Sequence, residues 1–175
     1  EMCIRDRHGS PYAAPSAFAG WSALINPAGE AVTDDEVDVF LAAEGDWAID
    51  VARFTVLKHQ HGGAPWTAWP APLRDGAPEA MARFDAHHAA AIHDVVRDQA
   101  QFNRDWMRLR EAATARGIQL FGDIPFFVAH DSADVWAATE RFLLDATGEP
   151  NVVYGVPPDY LSEDGQRWGT PLYDW

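Results

Sequence analysis

Carboxylates interleaved with aromatic side chains on a glycine- and proline-rich frame occur twice in this sequence. One run is Gly122-Asp-Ile-Pro-Phe-Phe-Val-Ala-His-Asp-Ser-Ala-Asp-Val-Trp136. The other is Gly155-Val-Pro-Pro-Asp-Tyr-Leu-Ser-Glu-Asp-Gly-Gln-Arg-Trp-Gly-Thr-Pro-Leu-Tyr-Asp-Trp175. Both are too dense in Gly and Pro for a core strand or helix. Gly and Pro hold unusual backbone angles, which fixes where neighbouring side chains point. A ring face can cover the apolar face of a pyranose, and a carboxylate accepts hydrogen bonds from its hydroxyls. The chemistry these residues suit is recognition of a sugar.

Five residues stand out. Asp123 follows a short apolar run and reads either as a sugar-binding acid or as a turn carboxylate bonding nearby N–H groups. Tyr12, between Pro11 and Pro15, can stack on a sugar and donate its O–H, or pack on the core as a loop aromatic. Asp159, Tyr160 and Trp168 share one loop, in which Trp168 reads either as a sugar contact or, together with Tyr173, as an anchor. Trp66 and Trp69, in a Pro-braced stretch, form a remote sugar platform or a packing cluster. His130, Asp131 and Asp134 provide no closed metal-ligand set. Asp131 and Ser132 instead read as a helix start, with Asp134 favouring the N-terminal dipole. No Gly-x-Ser-x-Gly, Walker loop or Gly-x-Gly-x-x-Gly is present.

Composition narrows the classes further. The 175 residues are 47% hydrophobic, enough for one globular domain or for part of a larger one. The net charge is −14, from 27 acids against 13 basic residues. Such a surface disfavours nucleic acid and anionic membranes, both of which need basic patches. Cys3 is the single cysteine, so no intrachain disulfide can form and a reducing, cytoplasmic compartment is expected. No stretch of about 18 apolar residues suggests a membrane span. Residues 1–7 have no periodicity and read as a non-native scar.

The elements that must position the five residues follow from spacing. Residues 8–27 read as an ordered loop, with a short strand at Ala23–Ile25. Thr33 and Glu36 form a capping-box pattern ahead of Val37, Phe40 and Leu41, predicting a helix from Asp34 to about Ala43. A second helix is expected from Asp46, with Trp47, Val51, Phe54 and Leu57 as its stripe, ended by Gly62-Gly63. Pro78 suits a helix first turn, and helix continues from Glu79 to Arg116 with a break near Ala86. His87, His88 and His93 fall on its polar side, and Gly117 closes it. Ile118–Phe121 reads as a short buried strand that carries Asp123 at its C-terminal end. Ser132 caps a short helix through Ala138. Phe142–Asp145 and Asn151–Tyr154 read as a hairpin around a five-residue loop.

The two runs resemble the signature segments of 4-alpha-glucanotransferases of the amylomaltase or disproportionating-enzyme type, almost position by position. Ser10-Pro-Tyr-Ala-Ala-Pro-Ser-Ala-Phe-Ala-Gly20 and His61-Gly-Gly-Ala-Pro-Trp-Thr-Ala-Trp-Pro70 agree as well, so the resemblance runs from about His8 to Trp175. It implies an α/β fold: residues 8–175 as the N-terminal part of a (β/α)8 TIM barrel with helical insertions. Such a barrel needs roughly 250 residues. It implies transfer of α-1,4-glucan segments to acceptor glucans or glucose by a retaining mechanism. The ligands are then maltooligosaccharides, with no cofactor and no metal. Tyr12, Asp123, Asp159, Tyr160 and Trp168 become substrate-binding residues. The family's nucleophile and acid/base lie on later strands, so none of the acids here is assigned as catalytic. Trp21 stands where the family usually has Asn, and Leu161 where it usually has Phe. A hydrolase of the same clan and a non-catalytic carbohydrate-binding module are the alternative readings.

Overall fold

The computed structural model describes residues 29–123, 126–160 and 162–175. Tyr12, the loop around it, the strand expected at Ala23–Ile25 and Leu161 lie outside the described residues. The elements are mixed helix and strand. Helix α1 spans Asp34–Gln60, α2 Ala71–Arg74, α3 Pro78–Thr114 and α4 Ala133–Trp136. Single 3-10 turns occupy Trp66–Ala68 and Thr139–Arg141, and strands β1 Val153–Val156 and β2 Gln166–Pro171 pair antiparallel. The described residues divide into two compact units, 29–52 with 90–123, and 53–89 with the described residues from 126 to 175.

Helix α1 begins where the capping box predicts. The Thr33 N–H donates to Glu36 Oε2 at 2.8 Å, and the Glu36 N–H donates to Thr33 Oγ1 at 3.3 Å, so two orphan donors are satisfied reciprocally. The break expected between Ala43 and Asp46 is absent, and one 27-residue helix runs through Gly45. A mid-helix glycine costs about 1 kcal/mol relative to alanine. Burial of Val37, Phe40, Ala48, Val51 and Ala52 on either side offsets it. The helix ends at Gly62 and Gly63, both at positive φ, where the Gly63 N–H donates to Lys58 O at 2.8 Å.

Helix α3 starts at Pro78, and the break expected near Ala86 is found as a kink two residues further on. Its only non-helical backbone lies at His88 (φ −115, ψ 18). In the first unit its inward side is Ile92, Val96, Gln99, Ala100 and Ala113. Arg97 donates to Asp34 at 2.6 Å, Arg104 donates to the Glu30 carbonyl and lies 3.5 Å from Glu36, and the Val32 N–H donates to Gln101 Oε1 at 2.9 Å. These bonds tie the end of α3 to the start of α1. Gly117 closes the helix at φ +69, as expected.

Two strand expectations need correction. Ile118–Phe121 is neither a strand nor buried: Ile118, Leu120 and Phe121 are exposed. A strand needs a neighbouring ladder, and none among the described residues pairs with this run. The hairpin expected between Phe142–Asp145 and Asn151–Tyr154 reduces to its turn. Leu144 and Pro150 form an isolated bridge, flanked by the Asp145 N–H donating to Glu149 O at 2.8 Å and the Asn151 N–H donating to Leu143 O at 2.9 Å. Val153–Val156 pairs instead with Gln166–Pro171, with a bulge between Val153 and Gly155. The Gly155–Trp175 run, expected as loop throughout, therefore carries most of the only two-stranded sheet among the described residues.

Candidate functional site

The second unit is built around indole rings. Phe54, Trp69 and Trp136 meet pairwise with centroids 5.4 to 6.0 Å apart, and His61 stacks on Trp69 at 5.6 Å. Buried indole N–H groups need acceptors. Trp69 donates to Ala64 O at 3.3 Å, Trp136 to Leu73 O at 3.2 Å and Trp66 to His130 O at 2.8 Å. Trp66 and Trp69 are buried, 1% and 3% exposed, so the packing reading holds for them and the sugar-platform reading does not.

Against this core lies the segment from Phe126 to Trp136. The Tyr173 O–H donates to Phe126 O at 2.7 Å. His130 Nε2 donates to Gly148 O at 2.7 Å, which places a proton on that nitrogen. Asp131 accepts from the Lys58 ammonium and, at 3.3 Å, from the Trp66 N–H. His130 and Asp131 are thus structural partners. Ser132 caps α4 by accepting from the Val135 N–H at 3.4 Å, and Asp134 lies in its first turn. Gly148 faces the Trp66 ring so closely that a Cβ there would lie 2.3 Å from it, at a φ of +87 that glycine adopts most readily.

Three of the five predicted residues come together on the β1–β2 hairpin. Asp159 shapes the connecting loop: its N–H donates to Ser162 O at 2.9 Å, and its Oδ1 accepts from the Ser162 N–H at 2.8 Å. Ser162 Oγ donates to Gly165 O at 2.7 Å. Gly165 closes the loop at φ +73, where a Cβ would lie 2.5 Å from the Val156 carbonyl. Tyr160, 94% exposed, projects from this loop. Trp168, on β2, is 48% exposed, and its Nε1 donates to Gln166 Oε1 at 3.0 Å. Phe127 braces it, with ring centroids 5.4 Å apart, and meets Tyr154 at 4.2 Å. Phe127 was not singled out from sequence, although the Phe126-Phe127 pair directly after Pro125 in a signature run was the available signal.

Asp123 belongs to the first unit. It is exposed, and its turn neighbours at positions 124 and 125 lie outside the described residues. In the second unit the Arg74 guanidinium holds the Asp75 carboxyl below its ordinary range. The Thr147 hydroxyl, with the Thr147, Glu149 and Gly148 N–H groups, holds the Asp145 carboxyl below its ordinary range. Burial raises the Tyr173 phenol, with Asp134 adding to the shift. Chemically, the hairpin offers flat aromatic surface beside polar side chains, which suits stacking on a sugar rather than proton transfer.

A family model described as 4-alpha-glucanotransferase matches residues 29–175. The chain is 44% identical over 162 residues to the 4-alpha-glucanotransferase of Thermus thermophilus, covering 91% of this chain and 31% of that protein. It is 41% identical over 148 residues to the 4-alpha-glucanotransferase of Synechocystis sp., covering 83% and 29%. The amylomaltase from Streptococcus agalactiae, solved in complex with acarbose, aligns in structure with a TM-score of 0.79 at 32% identity, covering 94% of this chain and 34% of that one. The chain spans about a third of the length of these relatives.

Proposed function

Because this chain belongs to the 4-alpha-glucanotransferase family, we propose that the protein carrying it transfers α-1,4-glucan segments to acceptor glucans or glucose. The observation that carries the proposal is the family match across residues 29–175. Residues 8–175 form the N-terminal part of a (β/α)8 domain with helical insertions, and its ligands are maltooligosaccharides. The reaction is retaining. A carboxylate attacks the anomeric carbon while a carboxylic acid protonates the leaving oxygen, and an acceptor hydroxyl then releases the glycosyl-enzyme. Both carboxyl groups are supplied by later strands. This chain contributes binding surface: Asp123 and Tyr12 to the reacting sugar, and Asp159, Tyr160 and Trp168 to the adjoining glucan. The exposure of Tyr160 and Trp168 supports their roles. Water exclusion by the loop that carries Asp159 and Tyr160 favours transfer over hydrolysis. The protein acts in the cytoplasm, and no helix among the described residues is long and apolar enough to cross a membrane.

Maltotriose tests the reading. The full-length protein is expected to release glucose and build longer oligosaccharides. Glucose and maltose without longer products would make it a hydrolase. The isolated 175-residue chain is expected to do neither, and enzyme-dependent disproportionation by it would overturn its assignment as a binding part.

A further inference from the structure

Resting on that functional reading, we propose that Lys58 and Asp131 are positioning residues that set Phe127, and through it Trp168, as an aromatic shelf for the glucan. Lys58 is the only lysine in the 175 residues. It stands in the last turn of α1, where a cation is favoured by the helix dipole. Its ammonium donates to Asp131 and, at 3.0 Å, to Ala64 O. One cation therefore ties the end of α1, the Ala64 bend and the segment from Phe126 to Asp131. Asp131 completes the tie by accepting from the Trp66 N–H, and the Trp66 indole returns to His130 O.

The geometry between the two ends of that segment gives the tie its purpose. Phe126 O is held by Tyr173, and His130 and Asp131 are held by Trp66 and Lys58. Phe127 sits between the two anchors, and its ring is the one Trp168 and Tyr154 meet. Among the described residues the Trp168 indole N–H donates to Gln166 alone, two residues back on the same exposed strand. The position of its exposed ring is therefore set through Phe127, and Phe127 through the Lys58–Asp131 pair. Neither charged residue lies on the hairpin, so neither needs to touch glucan. A purely structural ion pair would support stability without any link to the sugar.

The test uses full-length protein and maltotriose disproportionation. Lys58→Met keeps the aliphatic stem and removes the charge, and Asp131→Asn keeps the shape and removes the partner's charge. Each is expected to raise KM about fivefold while kcat changes less than about twofold, the pattern of lost ground-state binding. Lys58→Arg, which restores a cation to the carboxylate, is expected to recover KM. Normal KM in both neutral variants, with wild type active, would overturn the positioning role and leave the transferase reading standing. Wild type without disproportionation would remove both together. If Lys58→Met fails to fold, Asp131→Asn decides alone. A fall in Tm with KM unchanged would reduce the pair to scaffold.

Discussion

The stretch from Ile118 to Trp136, which contains the first signature run, holds two kinds of residue in succession. After Pro125 nearly every polar group is anchored: Phe126 O by Tyr173, His130 by Gly148 and Trp66, Asp131 by Lys58, and Ser132 in the α4 cap. Before it, Ile118, Leu120, Phe121 and Asp123 are exposed, and Asp123 bonds to no other described residue. Both halves look alike as sequence. The difference is whether side chains are committed to the fold or left available, and it separates residues that should report on stability from those that should report on ligand.

Glycines break this comparison most strongly. Gly148→Val forces a branched side chain into the Trp66 ring at positive φ, and should cost about 2–5 kcal/mol of unfolding free energy. Gly122 has no positive φ, and nothing described lies within 4 Å of an added Cβ. Gly122→Ala should shift stability by less than about 0.5 kcal/mol. Denaturant titration of both variants compares them directly, and equal losses would erase the distinction.

Asp123→Asn should act on rate rather than stability. Hydrogen bonds to a charged acceptor contribute roughly 1.5–3 kcal/mol, or about 10- to 150-fold in turnover where they strengthen in the transition state. Tm should hold, because no described partner is lost. A lowered Tm with normal turnover per folded molecule would return Asp123 to the turn-residue reading. Trp66→Phe is the counterpart on the anchored side. It removes the donor to His130 O and leaves part of a buried ring's space empty, and should cost about 2–3 kcal/mol, read by the same titration.

The smallest effect is on the acid limb. Glu36 in the first unit is held low chiefly by the Thr33 N–H, and Asp145 in the second chiefly by the Thr147 hydroxyl. A depressed carboxyl contributes stability that is present above its unfolded pKa and lost as pH falls through the folded one. Asp145→Asn should therefore flatten the decline of Tm below about pH 4, and leave the slope near neutrality unchanged. An unchanged acid limb would mean that the turn holds without its charge.

Local signals in the sequence were reliable where the chemistry was local. The Thr33–Glu36 box, the Gly62-Gly63 stop, Pro78 and the Ser132 cap all involve partners within a few residues, and each is found where the sequence places it. The misreadings involve distant partners. Gly45 is carried through α1 by burial on both sides, which no local propensity records. The apolar run Ile118–Phe121 reads as a buried strand because hydrophobicity alone cannot say whether a ladder is available. Trp66 could not be told from a sugar platform until His130 and Gly148, distant in sequence, were seen against it. Of the candidate site, the exposure of Tyr160 and Trp168 fits the sequence signal of aromatics on a Gly- and Pro-rich frame. Phe127 was not singled out, since its importance lies in which rings it meets.

The solitary lysine has a practical corollary. In the 175-residue chain Lys58 is the one side-chain amine that an acylating reagent can modify. Its nitrogen must leave both Asp131 and the Ala64 carbonyl before it can attack. Labelling kinetics at this single atom would thus time the spontaneous opening of the tie, a clock that the protein carries without any engineered probe.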